Sequence, residues 1–288
     1  MTNEELKQFY IDQWSRRKPC NMSHKKEDWD ERAFDWEKEL HEDEVVIRRN
    51  AARVAATVDF LKAHGQLNPE DTVIDIGCGP GRFVAEFAKH AGHVTGLDIS
   101  PNMCRFGLEY AHSQGVQNVD FIACDFKKTD VIEEDWENKY DLVFSSITPA
   151  MSTYESLVKS EIMSRGYCFQ SGFVKMVDSP GDEILKEVLT EKEQSGTREM
   201  ASCQAMFNIL CLEGKYPIVD YYTEACREVL DINEKLVRKL LKNSAAPKEL
   251  FDKKKELILE ALRKRANANG QIERFSEVTY GWILWKVQ

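Results

Sequence analysis

Between Thr72 and Asp98 the chain carries an order of residues that few folds accommodate. A short β-branched run, Thr72-Val73-Ile74-Asp75-Ile76, ends in Gly77-Cys78-Gly79-Pro80-Gly81. Apolar residues then recur at Phe83, Phe87 and Ala88 up to His90, and His93-Val94-Thr95-Gly96-Leu97-Asp98 forms a second β-like run. Strand, glycine turn, helix and strand follow one another, and the alternation continues. Met103 to Ser113 reads as a helix, and Val119-Asp120-Phe121-Ile122-Ala123 and Tyr140-Asp141-Leu142-Val143-Phe144 read as a third and a fourth strand. Strands alternating with helices predict an α/β fold with a mostly parallel sheet covered by helices on both faces.

The flanking segments are read by the same rules. Asn50 to about Leu67 places Val54, Val58, Phe60 and Leu61 at near-helical spacing with a stop at Gly65. The first fifty residues are polar and rich in Trp, so their helices must dock elsewhere, and they are expected to form a lid. Gly166 to Val174 and Ala205-Met206-Phe207-Asn208-Ile209-Leu210 read as two more strands. Two amphipathic helices are expected between Tyr222 and Gly270. One carries Val229, Leu236, Val237, Leu240 and Leu241, the other Leu250, Leu257, Ile258, Ala261 and Leu262, with Pro247 opening the second after Asn243-Ser244. Glu277 to Val287 is too apolar for an exposed edge and should enter the sheet last.

A glycine turn after a first strand can cradle a phosphate, a dinucleotide or the methionine end of S-adenosylmethionine. A P-loop needs Gly-Lys followed by Ser or Thr, but Gly81 precedes Arg82 and Phe83, and a dinucleotide fingerprint needs a third glycine where Arg82 stands. The remaining segment, Asp75-Ile76-Gly77-Cys78-Gly79-Pro80-Gly81, resembles the first motif of the class I, Rossmann-like S-adenosylmethionine-dependent methyltransferases. The resemblance implies a seven-stranded sheet, and it implies donor contacts from Asp75, Gly77, Cys78, Gly79 and Gly81. Glycines let the backbone approach the ligand without a Cβ in the way.

Further along, Asp98-Ile99-Ser100-Pro101-Asn102-Met103 is similar to the family's second motif. There Asp98 would accept the ribose hydroxyls and Ile99 and Met103 would lie against adenine. Cys124-Asp125-Phe126 resembles its adenine clamp, which brings in Asp125 and Phe126, and Ser145 opens the acceptor edge after the fourth strand. Trp29-Asp30-Glu31-Arg32-Ala33-Phe34-Asp35-Trp36 is similar to the element that small-molecule methyltransferases fold over the donor, so Trp29 and Arg32 join the candidates. The fourth strand lacks the Asn-Pro-Pro-aromatic run of base-methylating relatives. The expected organisation is one domain over 1–288: a lid (1–50), a donor-binding half (51–150), and an acceptor-side half (151–288) with a helical-hairpin insertion at about 222–270, before the last strand.

Charge narrows the acceptor. The formal charge of −10 would repel a polyanion unless the basic residues were segregated, which disfavours nucleic acid. Lys253-Lys254-Lys255 and Arg263-Lys264-Arg265 are interleaved with acids and read as a solvated face. No stretch approaches the roughly 20 apolar residues of a membrane span, and the N-terminus lacks a signal pattern, so a cytoplasmic location is expected. The eight cysteines, Cys20 among them, show no metal-ligand spacing, so no metal is expected. Of the histidines, His24 and His41 are placed to reach the site. No catalytic residue is assigned, because methyl transfer to a good nucleophile needs in-line positioning more than an acid or base.

The sequence therefore predicts transfer of a methyl group from S-adenosylmethionine to an O, N or S atom of a small molecule. A nucleic-acid or protein acceptor, aminopropyl transfer, and a non-catalytic donor-binding module stand as alternatives. Tyr216, Tyr221, Tyr222, Trp282 and Trp285 are either pocket lining or core, with core favoured for the tryptophans.

Overall fold

The computed structural model describes residues 1–15, 25–190, 201–242 and 250–287; Cys20, His24, Asn243, Ser244 and Pro247 lie outside them. Three helices come first, α1 (Asn3–Ser15), α2 (Lys26–Glu42) and α3 (Glu44–Ala63). Asp43 caps α3 by accepting from the Val45 and Val46 amides, and Val54, Thr57, Val58 and Leu61 form its buried stripe. Then follow β1 (Thr72–Ile76), α4 (Arg82–Phe87), β2 (His93–Asp98), α5 (Pro101–Ser113), β3 (Val119–Ala123) and β4 (Tyr140–Ser146). The first three strands coincide with their expected ranges, whereas α4 stops three residues short of His90. The chain continues through α6 (Tyr154–Met163), β5 (Ser164–Ser179), α7 (Gly181–Val188), α8 (Ala201–Leu212), β6 (Ile218–Asp231), α9 (Glu234–Lys242), α10 (Leu250–Lys264) and β7 (Gln271–Lys286).

The strands form one seven-stranded sheet in the order β3-β2-β1-β4-β5-β7-β6. Neighbours from β3 to β5 are parallel, and β7 runs antiparallel between β5 and β6. The apolar closing strand is thus interior, as its composition requires. On one face Val54, Val58, Phe60 and Leu61 of α3 pack with Phe83 and Phe87 of α4 over Phe144 and Phe169, whose rings stack at 4.9 Å. The other face carries Leu157, Met163, Met206, Ile209 and Trp14.

Two expectations need correction. Ala205–Leu210 is not a strand but the middle of α8. Its buried residues, Cys203, Met206 and Leu210 with Ala205 and Ile209, recur at helical spacing. The expected helical pair begins at Glu234 rather than Tyr222, because Ile218–Asp231 pairs along β7. Val229 consequently lies on β6, exposed. The first fifty residues also divide. α1 buries Trp14 against α8 and α6 in the far layer, and only α2 lies across α5.

β5 leaves the parallel sheet behind. Its residues up to Ser171 pair with β4, and Gly172–Ser179 continue beside β7 alone. At about 3.3 Å per residue this carries a three-stranded ribbon roughly 25 Å past the carboxyl edge of the parallel strands. There α7, α9 and α10 enclose a separate apolar cluster of Ile184, Leu185, Val237, Leu240, Ile258 and Leu262 with Ile272 of β7. Arg274 ties the ribbon together. Its Nε and Nη2 donate to Asp178 at 2.9 and 2.6 Å, and its Nη1 donates to Glu228 at 2.7 Å. Among the described residues no helix is long and apolar enough to cross a membrane.

Candidate functional site

Every special residue of the glycine loop has a local reason. Gly77 has φ +74°, and its amide and that of Cys78 donate to the Leu97 carbonyl. A Cβ on Gly77 would stand 2.0 Å from Thr148 Oγ1, so the segment after β4 lies directly on the loop. Gly81, at φ +69°, approaches Gly107 of α5 so closely that a Cβ would meet its Cα at 2.8 Å. Gly79, by contrast, faces open space.

Two carboxylates flank that opening. Asp98 accepts from the Gly79 amide on Oδ2 and from the Ser100 amide on Oδ1, both at 2.9 Å. Each oxygen keeps a lone pair for a further donor. Burial holds the Asp98 carboxyl above its ordinary range, opposed by those amides. Asp75 is 2% exposed and its Oδ2 has no partner. Burial, and then the charge of Asp98, push its carboxyl well above the usual carboxylate range. Burial also raises the Cys78 thiol, which stays protonated.

The opposite flank of the opening is built by α5 and the turn after β3. Ser100 caps α5 with Pro101 behind it, and the Cys124 amide donates to the Asp98 carbonyl, which brings Asp125 to the same edge. Asp125 is engaged by the Lys127 amide and by Lys128 Nζ at 3.0 Å. Ile99 is half-buried. Met103 and Phe126 are core side chains rather than open contacts: Met103 lies under Trp29, Ala33 and Phe106, and Phe126 joins the α6 layer. Ser145 is likewise closed off, its hydroxyl donating to the Phe169 carbonyl.

The Trp29–Trp36 segment is held by more than Trp29 and Arg32. Trp29 packs on α5 and Arg32 stacks over Trp29. The polar anchor is Asp30, which accepts from Ser100 Oγ at 2.5 Å. Glu37 pairs with Arg82, which itself stacks on Tyr110 at 3.5 Å, so both ends of α2 are fastened to the glycine loop and the helix behind it. His41 is exposed at the far end of α2, bonded to the Glu37 carbonyl.

Towards β5, α3 faces the extended ribbon. Phe173, Tyr280 and Tyr222 lie across from one another, and Met176, Val278 and Glu224 form the next row on the same face. Tyr280 donates to Glu224 Oε1 at 2.8 Å, Arg49 donates to the same oxygen at 2.8 Å, and Arg53 Nη1 reaches the Tyr280 hydroxyl at 3.4 Å. Burial pushes the Tyr280 phenol up to about 12, so it stays a donor. A cavity of about 190 Å³ opens beside this row, lined by Arg49, Met176, Asp178, Arg274, Ser276 and Val278. Arg53 Nε, Glu224 Oε2 and Ser276 Oγ are buried without partners. Sequence reasoning missed Arg53, Glu224 and Tyr280, whereas Asp30 stands in the quoted Trp29–Trp36 element without being singled out. Of the expected aromatics, Trp282 and Trp285 are core, while Tyr216 and Tyr221 are exposed.

Comparison with known proteins agrees with the loop chemistry. A family model described as a methyltransferase domain matches residues 67–225. A 23S rRNA (uracil(1939)-C(5))-methyltransferase of Alcanivorax borkumensis is 34% identical over 95 residues, 33% of this chain and 20% of that protein. An rRNA adenine N-6-methyltransferase of Limosilactobacillus reuteri is 29% identical over 136 residues, 45% of this chain and 52% of that protein. The chain thus spans between a fifth and about half the length of these curated relatives. Among solved structures, magnesium protoporphyrin IX methyltransferase from Synechocystis superposes with a TM-score of 0.50 at 17% identity, covering 88% of this chain and 97% of that one. A methyltransferase structure from Bacillus halodurans gives 0.51 at 12%, covering 82% and 99%. At these identities the shared property is the fold.

Proposed function

The chain belongs to the methyltransferase-domain family and is an S-adenosylmethionine-dependent methyltransferase, and from that premise we propose that its acceptor is a small molecule methylated on O, N or S. The donor fits the residues present. Asp75 Oδ2 is an unpartnered acceptor for an ammonium, Asp98 has lone pairs for two hydroxyls, and Gly79 leaves room for a backbone approach. Gly77, Cys78 and Gly81 shape the loop, while Ile99 and Asp125 stand at the adenine edge. Trp29 and Arg32 hold the α2 cover. When bound, the donor supplies an electrophilic methyl on a sulfonium. The chain's own groups orient it, exclude water and hold the acceptor in line, which is where most of the acceleration would arise.

One observation carries the small-molecule reading. The space past the carboxyl edge, between α3 and the ribbon, holds a cavity of about 190 Å³ whose polar lining is Arg49, Asp178, Arg274 and Ser276. A duplex or folded RNA does not enter such a space. The residues from 151 onward, including the α9–α10 hairpin, act in this reading as the acceptor-side half of a single catalytic unit over 1–288, with 51–150 as its donor half.

Calorimetry with S-adenosylhomocysteine, followed by a metabolite screen for its release from S-adenosylmethionine, tests the proposal. Asp98→Ala should weaken S-adenosylhomocysteine binding at least tenfold, about 1.4 kcal/mol; unchanged binding would remove Asp98 from the site. A nucleic-acid acceptor is the second reading, favoured by the rRNA methyltransferases among the relatives. Methylation of bulk ribosomal RNA, with no metabolite turned over, would replace the first reading by the second.

A further inference from the structure

We propose that the free edge of β6 is a two-fold interface, on which a second copy of this chain lays its own β6 antiparallel, so that the two seven-stranded sheets run on as one. The interface belongs to the ribbon and is independent of which acceptor is methylated.

The strand itself carries the first part of the argument. β6 ends the sheet order, with β7 on one side and, among the described residues, no strand on the other. It is 14 residues long, where strands of about 5–6 residues are usual, and it pairs with β7 from Ile218 to Asp231 without a register shift. Proteins blunt such edges with lysine, proline, a bulge or a very short strand. β6 has none of these. Its inward acids do not protect it either, because Glu224 is held by Arg49 and Tyr280, and Glu228 by Arg274. On the opposite face Val219, Tyr221 and Val229 are 37%, 57% and 56% exposed. An unpaired backbone edge flanked by exposed apolar side chains suits a partner strand, which satisfies the backbone and covers the side chains together.

Register selects that partner. Side chains directly opposite one another in an antiparallel pair share a face, and successive residues alternate between faces. Two copies of one strand therefore keep like faces together only when the two-fold axis passes through a residue rather than between two. The registers of longest overlap are centred on Glu224 and on Ala225. Centring on Glu224 sets Asp220 against Glu228 of the second copy, once on each side of the axis, and like charges directly opposite are destabilising. Centring on Ala225 sets Tyr221 against Val229, Thr223 against Arg227 and Tyr222 against Glu228, and no residue meets its own charge. Tyr221 and Val229, the most exposed apolar side chains of the strand, then cover one another on both sides of the axis. An aromatic beside a β-branched residue is a favoured cross-strand pair. A strand that complements itself in this way fits a second copy of the chain, and the two-fold uses each β6 once, so association closes at the dimer.

Sedimentation equilibrium over a wide range of concentration tests the association. One and two chain masses should interconvert reversibly; a single chain mass throughout, or growth past two, overturns the proposal. Cross-linking tests the register, in a Cys226→Ser background so that the neighbouring thiol does not compete. Ala225→Cys should form a disulfide-linked dimer on mild oxidation, because opposed Cα atoms of an antiparallel pair lie about 4.5–5.5 Å apart, within disulfide reach. Thr223→Cys should not, since the two-fold displaces it from its own copy by about 13 Å along the strand. Equal cross-linking of the two variants, or none in either, overturns the register. A charge exchange tests the same contact. Tyr221→Glu combined with Val229→Glu should raise the dimer dissociation constant at least tenfold, whereas Tyr221→Lys combined with Val229→Glu, which sets opposite charges face to face, should stay within about threefold of the parent. Equal dissociation constants for the two double variants would remove the Tyr221–Val229 contact. Both should bind S-adenosylhomocysteine as the parent does, which shows that each has folded. Failure of the parent to bind S-adenosylhomocysteine would defeat the methyltransferase reading and leave the interface untouched.

Discussion

Asp75 shows how a single residue divides between folding and binding. Its folded carboxyl titrates well above the ordinary value because burial and Asp98 disfavour the charge. The folded chain therefore holds this proton more tightly than the unfolded chain, whose Asp ionises near 3.9. Below that value the two states bind the proton equally, and as pH rises through the window up to the folded value, stability is lost. Asp75→Asn removes that loss. The variant's melting temperature should match the parent's near pH 4 and exceed it increasingly towards pH 8, while S-adenosylhomocysteine affinity falls at least tenfold because Oδ2 is gone as an ammonium partner. A pH-independent shift in melting temperature would show that the Asp75 charge is not the cause. The glycine loop was legible in the sequence because turns and close approaches demand particular residue types: only glycine tolerates φ +74° at Gly77 with Thr148 above it. Arg53, Glu224 and Tyr280 were not legible, since they come from α3, β6 and β7 and meet only through the β6–β7 register.

Among elements, strands bounded by glycines and polar turns were readable, and β1, β2 and β3 lie where their β-branched runs predict. The error at α8 came from reading a short apolar run without its period: Cys203, Met206 and Leu210 recur as a helix face, and α1 supplies the cover that a strand would not need. The Trp29–Trp36 pattern in α2 was visible, and the polar contact it makes is through Asp30, which accepts from Ser100 at the head of α5. Asp30→Ala should loosen α2, raising amide exchange over residues 26–42 and weakening S-adenosylhomocysteine binding a fewfold, with the sheet unaffected. The ribbon depends on Arg274 in the same way. Replacing it with Ala strands Asp178 as a buried uncompensated acid and leaves half-buried Glu228 only Lys239, at 3.9 Å, an expected cost of about 3–5 kcal/mol in denaturant unfolding. Arg274→Met, which refills the volume, cannot neutralise those acids and should recover only the packing part. Equal stability of the parent and Arg274→Ala would mean that the α7–α9–α10 cluster carries the ribbon without the ion pairs.

For the whole molecule, net charge and its local distribution bear on which acceptor can approach. The chain carries −10 overall, and each of the two basic runs that might have formed a phosphate-binding face has cations paired with neighbouring acids. Lys255 pairs with Glu234, Lys264 with Glu260 and Arg265 with Glu187. A polyanion would thus meet a repulsive net charge and cations partly committed to acids at the helical end of the molecule, whereas a neutral acceptor is indifferent to both. Ionic strength separates the two cases without knowledge of the acceptor's identity. Binding that depends on 6–10 phosphate contacts falls by about 10³ to 10⁵ between 50 and 200 mM salt. Screening acts on exposed charges and much less on buried ones, so kcat/KM for a neutral acceptor enclosed beside α3 should change by no more than about twofold over the same range. The measurement is kcat/KM against salt for whichever acceptor the screen returns. A steep linear fall of its logarithm with log salt would mean that the acceptor approaches as a polyanion, and it would overrule the enclosed cavity as the place where the methyl is received.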